Sequence, residues 1–430
     1  MGRYRRVSFL FAGLILFPAL LFAQFNNSTT SPYSRYGLGD LESYNFGRTA
    51  AMGGATLASR YALQINTANP ASYTATDSLN FLFEFGMQGT FTKYSTDVSS
   101  TKSNDVNFNY FMMGFRITPW MAASLGIVPY SNVGYNVQAL GDVENTGAYQ
   151  TSYKGEGTIS DAMFGLAIQP SKHISFGANL NYRFGNLKRS SELYFAEPDL
   201  YLLQRNSTLR LFDFGLELGA QAMFPMSDDR QLVLGVVFEN KPTYKGAASD
   251  IVLKTLTYGS STAKDTLFPE SNAELETKGK IVFPTTLGIG LSYGKKDVYE
   301  INVDYYHQTW SKATFLGSTS QFLTDLNKFA IGAEWIPEKY SIRNRLKRVA
   351  YRAGLKYEQT YLAFDGHQIN SFGITFGLGI PLYRSSSTIN LSAELGRRGT
   401  TKYNLVLENY AKVNLSANLH DLWFIQRKID

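Results

Sequence analysis

The sequence predicts an all-β protein, a 14-stranded antiparallel transmembrane β-barrel with an N-terminal hatch segment. Three observations predict it. Apolar and polar residues alternate along most of the chain, the two-residue period of a strand with one apolar face. Gly (37), Phe (30) and Tyr (28) are abundant among 430 residues, whereas charged residues make up only 18%. The connections between alternating runs also sort into short turns and longer polar loops, as they do in outer-membrane barrels.

The first element is the opening "MGRYRRVSFLFAGLILFPALLFAQ". Arg3, Arg5 and Arg6 form a basic region, an apolar run extends from Val7 to Phe22, and Ala23 offers a small residue for cleavage. The run is shorter than the ~20 residues of a spanning helix, so residues 1–23 are expected to be a signal peptide. Removing three arginines leaves 38 Lys+Arg (41 − 3) against 35 Asp+Glu. So balanced a charge carries no electrostatic footprint for nucleic acid. The chain has no cysteine, which excludes disulfides, thiolate metal sites, thiol catalysis and a lipoprotein anchor.

Residues 24–78 do not alternate. Small residues cluster at Ala50–Ala55, and Pro70 after Asn69 forces an extended or turn conformation there. The segment is too long for a tether, and placed inside a barrel it would act as a hatch that closes the lumen.

Residues 79–430 form the expected barrel. In "HISFGANLNYRFGN" (173–186), Phe176, Leu180 and Phe184 alternate with Ser175, Asn179 and Arg183. The same pattern recurs in "YEINVDY" (299–305), "FAIGAEW" (329–335) and "FGITFGLGI" (372–380). Fourteen strands are expected to start near residues 79, 105, 121, 148, 173, 207, 231, 276, 297, 322, 347, 368, 387 and 403. Glu217, Glu300, Asp304, Glu334, Arg352 and Glu394 share the faces opposite the apolar residues. That many charges in a dry core would be very costly, so the apolar face is predicted to meet lipid and the polar face a wet lumen. Trp120, Trp335, Trp310 and Trp423 fall near strand ends, where interface belts form. The stretches 185–207 and 245–280 read as long outer loops. An even strand count puts both chain ends on the periplasmic side.

On "FGRTAAMGGATLA" (46–58) and "NPAS" (69–72) before the first strand, the chain resembles the FadL superfamily of outer-membrane proteins. "PYSRYGLGD" (32–40) and the ending "NLHDLWFIQRKID" (418–430) look like its Bacteroidota-type branch. The resemblance implies passive uptake of hydrophobic small molecules such as long-chain fatty acids across the outer membrane. Asn69, Pro70, Ala71 and Ser72 would form the gate of the hatch, and Pro129 with Gly134 a lateral opening in the third strand. Trp423 and Phe424 look like the assembly signal read by the barrel-insertion machinery. The same branch implies an alternative, a non-transporting subunit of an outer-membrane secretion or barrel-assembly complex. Ser72, where the fatty-acid channels carry glycine, leans toward that alternative. Expected partners are a hydrophobic ligand, membrane lipid, the assembly machinery and other outer-membrane proteins. No cofactor or metal is expected, and no nucleophile motif or catalytic grouping of the four histidines emerges, so the chain does not read as an enzyme.

Overall fold

A computed structural model describes residues 28–422 apart from 44, 78–79, 144–146, 196–201, 259–260, 267–275 and 384. The expected signal peptide and the pair Trp423 and Phe424 lie outside the described residues. Among those residues a single antiparallel sheet of fourteen barrel strands closes on itself. They are β1 (Asn80–Ser95), β2 (Ser100–Thr118), β3 (Met121–Val143), β4 (Gly147–Ser171), β5 (Ile174–Phe195) and β6 (Leu202–Pro225). Next come β7 (Arg230–Glu239, resumed as Thr243–Tyr258), β8 (Glu276–Val282, resumed as Thr286–Lys295), β9 (Tyr299–Gln308) and β10 (Leu326–Trp335). The last four are β11 (Ala350–Phe364), β12 (His367–Pro381), β13 (Thr388–Arg398) and β14 (Leu407–Leu422). Closure is made by β14 on β1, in register from Leu407↔Ser95 to Leu422↔Asn80.

The alternation has the predicted sense. On β5, Phe176 and Leu180 are 48% and 43% exposed, whereas Ser175, Asn179 and Arg183 between them are buried. The apolar face is the outside, where an exposed Phe costs nothing against hydrocarbon. Trp120 and Trp335 are exposed at the short-turn rim, as an aromatic belt requires. Trp310 departs from that expectation. It is fully buried, because the chain after β9 turns inward through a 3₁₀ turn (Trp310–Lys312) and Trp310 Nε1 donates to Gln308 Oε1 at 2.9 Å.

The long loops are shorter than the sequence suggested. Residues 185–195 and 202–211 pair as a regular ladder, from Gly185↔Leu211 to Leu193↔Leu203. Thr243–Val282 likewise carries β7 and β8 upward, with register from Val282↔Thr243 to Glu276↔Ser249. Above the membrane no hydrocarbon meets the outer face of these strands, while Leu187, Leu211, Tyr244 and Ile281 turn inward into a buried cluster. The outward-apolar alternation that marks a strand therefore fades while the pairing continues.

Two walls are kinked. β7 breaks at Pro242 and β8 at Pro284, each lacking the N–H a ladder needs. Phe283 donates its N–H to the Pro242 carbonyl at 2.9 Å and is buried. Pro284 thus lies between the two halves of β8.

Candidate functional site

Residues 28–77, residue 44 apart, carry three short 3₁₀ turns, Pro32–Arg35, Thr49–Met52 and Pro70–Ala75. Their hydrogen bonds end on inward-facing side chains all round the wall. The Ile65 N–H donates to Glu84 Oε1 on β1 (2.6 Å), and those of Thr56 and Leu57 to Asp304 Oδ2 on β9 (2.5 and 2.8 Å). Gly53 N–H donates to Thr375 Oγ1 on β12 (2.8 Å), and Ser31 Oγ to Glu408 Oε1 on β14 (2.5 Å).

Arg48 is the deepest anchor, 1% exposed. Its Nε lies 2.8 Å from Glu334 Oε2 and one terminal nitrogen 3.0 Å from Glu300 Oε2, while the other donates to Ser59 Oγ at 2.9 Å. Arg352 shares the same carboxylate, at 2.6 Å from Glu334 Oε2. Burial works against the Arg48 charge, yet the two glutamates hold its pKa well above the ordinary arginine range. Arg60, bonded to Gln221 Oε1 (2.8 Å) and Ser175 Oγ (2.9 Å), has no such carboxylate. Burial, and then the Arg116 guanidinium, lower its pKa to about 10. The inward charges predicted to sit in a wet lumen are thus met by protein: by this segment, and by one another at Arg183–Asp161 (2.7 Å) and Lys356–Glu394 (2.6 Å).

Asn69, Pro70, Ala71 and Ser72 are brought together as one capped turn. Asn69 Oδ1 accepts from the Ala71 N–H at 3.1 Å, and its amide donates to the Leu57 carbonyl at 2.7 Å. Ser72 Oγ donates to the Asn69 carbonyl at 2.7 Å. Ser72 is not among the residues with positive φ, so glycine's freedom is not needed there. The turn lies against β5 so closely that a Cβ on Gly177 would stand 2.4 Å from the Pro70 carbonyl carbon.

Pro129 and Gly134 sit on a seam. The β2–β3 ladder ends at Phe111↔Ile127, although β3 runs on to Val143 and β2 starts at Ser100. A bulge between Pro129 and Ser131 displaces the register against β4, as a proline inside a ladder requires. The edge this frees is taken by the N-terminal segment: Asp40 and Leu41 form a two-residue strand paired to Asn132 and Ser131, and Glu42 N–H donates to the Tyr130 carbonyl at 2.8 Å. Ser34 Oγ donates to the Gly134 carbonyl and accepts from its N–H, both at 3.1 Å. Pro129 is therefore well inside the strand rather than at its loosened outer end. A cavity of about 180 Å³ beside it is lined by Ser28, Glu42, Phe108, Ile127, Pro129 and Thr158, among others.

Beneath the outer hairpins, where a greasy solute would enter, the protein's own rings cluster beside a cavity of about 100 Å³ lined by Leu41, Ala68, Tyr130, Val237, Tyr306 and Leu326, among others. Tyr33, Leu38, Tyr130, Phe283, Trp310 and Tyr361 belong to one buried cluster. At its base the Arg183 guanidinium lies 3.5 Å from the Tyr130 ring centroid, 5.0 Å from that of Phe283 and 5.2 Å from that of Tyr244, a cation held by π faces. Sequence reasoning missed this cluster. Its members come from Tyr33 and Leu38, from nine strands (β3 to β8 and β10 to β12) and from the connections after β9 and β13, so no local pattern records it.

Comparison with known proteins places this arrangement. The chain is similar in structure to the toluene transporter TbuX of Ralstonia pickettii, with 15% identity over 87% of this chain and 98% of that one and a TM-score of 0.57. A FadL homologue of Pseudomonas aeruginosa (11% identity, 89% and 99% covered, TM-score 0.55) and the toluene transporter TodX of P. putida (15%, 90% and 100%, 0.53) are also similar. These likenesses show a FadL-like outer-membrane barrel fold. No curated protein matches the chain. A family model described as BamG matches residues 6–430.

Proposed function

Since the chain belongs to the BamG family, we propose that it is a closed-lumen barrel subunit of an outer-membrane barrel-assembly complex, not itself a conduit. The observation that carries this reading is the web of buried contacts from residues 28–77 to the barrel wall. That segment is pinned by the buried Arg48–Glu334–Arg352 group, and Arg183 with its aromatic cage packs under the outer hairpins beside a cavity of only about 100 Å³. A transporter needs an apolar pocket there and a path past the hatch. A scaffold needs a rigid barrel that presents its rims and hairpins to partners.

The seam favours a second reading, passive uptake of hydrophobic small molecules such as long-chain fatty acids. In it, Asn69, Pro70, Ala71 and Ser72 gate the lumen, and withdrawal of Asp40–Leu41 from β3 opens a lateral exit beside Pro129 and Gly134. Gentle extraction from the native outer membrane followed by native mass spectrometry separates the two. A stoichiometric complex with other outer-membrane proteins, free of apolar ligand, is the expected result. A lone barrel carrying a fatty acid or similar molecule would overturn the scaffold reading and support uptake.

A further inference from the structure

The turn between β10 and β11, residues 336–349, is the longest among the described connections at the short-turn rim and the most basic. It carries Lys339, Arg343, Arg345, Lys347 and Arg348 against a single acid, Glu338. Two of these cations are neutralised, Lys347 by Glu338 (3.1 Å) and Lys339 by Asp297 (2.6 Å). Arg343, Arg345 and Arg348 have no carboxylate partner among the described residues. Beside them stand exposed apolar side chains, Ile342 at 97% and Leu346 at 67%.

The turn is tied to the membrane side of the wall. Its 3₁₀ element, Arg345–Arg348, is capped by Asn344, whose side chain accepts from the Leu346 N–H. The Tyr351 hydroxyl donates to the Leu346 carbonyl at 3.1 Å, and Tyr351 packs against Trp335 with ring centroids 6.1 Å apart. Both rings are on the lipid-facing side of β10 and β11. The unpaired arginines are thus held at headgroup depth, next to an interfacial aromatic pair. Guanidinium groups bind phosphate in a bidentate manner.

We propose that this turn is a binding site for anionic phospholipid of the periplasmic leaflet, with Arg343, Arg345 and Arg348 on the headgroup phosphate and Ile342 and Leu346 toward the acyl chains. The charge complement and the junction with the membrane-facing rings of Tyr351 and Trp335 select lipid over a protein partner.

The test uses the full-length protein in nanodiscs of equimolar phosphatidylglycerol and phosphatidylcholine, with retained lipid counted by native mass spectrometry. Heat-modified gel mobility checks folding. The wild type is expected to enrich phosphatidylglycerol. Each cation near an anionic surface contributes roughly fivefold in affinity, so R343Q/R345Q/R348Q should lose at least about tenfold of the enrichment. The variant K172Q/K295Q/K296Q, which removes three charges from other turns of the same rim, should keep it. If the arginine triple does not fold, R343Q/R345Q at two exposed positions reads the same quantity. No enrichment by the wild type, equal loss in the lysine control, or full retention in the arginine variant would overturn the site. Loss of a co-purifying protein with lipid enrichment unchanged would reassign the turn to a protein partner and overturn it as well.

Discussion

Arg48 concentrates the energetics of the hatch in one side chain. Removing one partner of a buried ion pair strands the other charge, at a cost of about 3–5 kcal/mol. Arg48→Met should therefore lower the urea midpoint of unfolding and expose residues 46–60 to protease, while Lys154→Met, which breaks an exposed pair with Glu192, should change neither. A midpoint unchanged in Arg48→Met would mean that Arg352 alone satisfies Glu334. Close approach gives a second residue-scale prediction. A Cβ on Gly354 would stand 2.3 Å from the Gly53 nitrogen, too close for any side chain. Gly354→Val should then loosen the hatch by about 1–3 kcal/mol or more, read as faster hydrogen exchange at residues 50–58. At this scale the sequence was partly legible. The inward position of Glu300, Asp304 and Glu334 followed from strand period alone. Their partners did not, because pairing Arg48 with Glu334 joins positions 286 apart, and no local pattern records that. One signal was available: glycines such as Gly332 and Gly354 on inward strand positions mark where another backbone lies against the wall.

Among the elements, the strands that cross lipid were readable to within a few residues, since hydrocarbon on one side and protein on the other impose strict alternation. The outer hairpins were not, since no hydrocarbon lies outside them and the outward residues need not be apolar. The seam was visible only as Pro129, and the segment that covers it, Asp40–Leu41, carries no strand pattern at all. Its pairing predicts a crosslink. Leu41 and Ser131 are register partners, and opposed Cα atoms in antiparallel pairs lie roughly 4.5–5.5 Å apart, within disulfide range. With no native cysteine to interfere, Leu41→Cys with Ser131→Cys should oxidise nearly completely and shift gel mobility. On the scaffold reading the locked protein still supports growth and complex formation. Loss of function on oxidation, restored by reductant, would favour uptake through the seam.

For the molecule as a whole, the proposed hatch predicts electrical silence. Reconstituted in a planar bilayer, the protein should show no steady conductance, whereas a variant lacking residues 28–77 that still shows heat-modified mobility should conduct as an open pore. Steady current through the intact protein would mean that the buried network leaves a continuous water path. Strand number, closure and orientation were all accessible from the sequence, because each strand repeats the same signal and errors at one end do not accumulate. The state of the lumen was inaccessible, because it is decided by contacts between the start of the chain and every strand that follows.

That arrangement has a kinetic corollary. Residues 28–77 precede every barrel strand in the chain, yet their hydrogen bonds span up to 377 positions, from Ser31 to Glu408. Topologies dominated by such distant contacts fold slowly, since chain closure must precede the contacts that reward it. Asp304 of the wall, which accepts from the Thr56 and Leu57 N–H groups, lacks those partners until the cylinder shuts around this segment. On the closed-lumen reading, docking and closure are one event, and the proposed hatch is also the mandrel on which the barrel is wound.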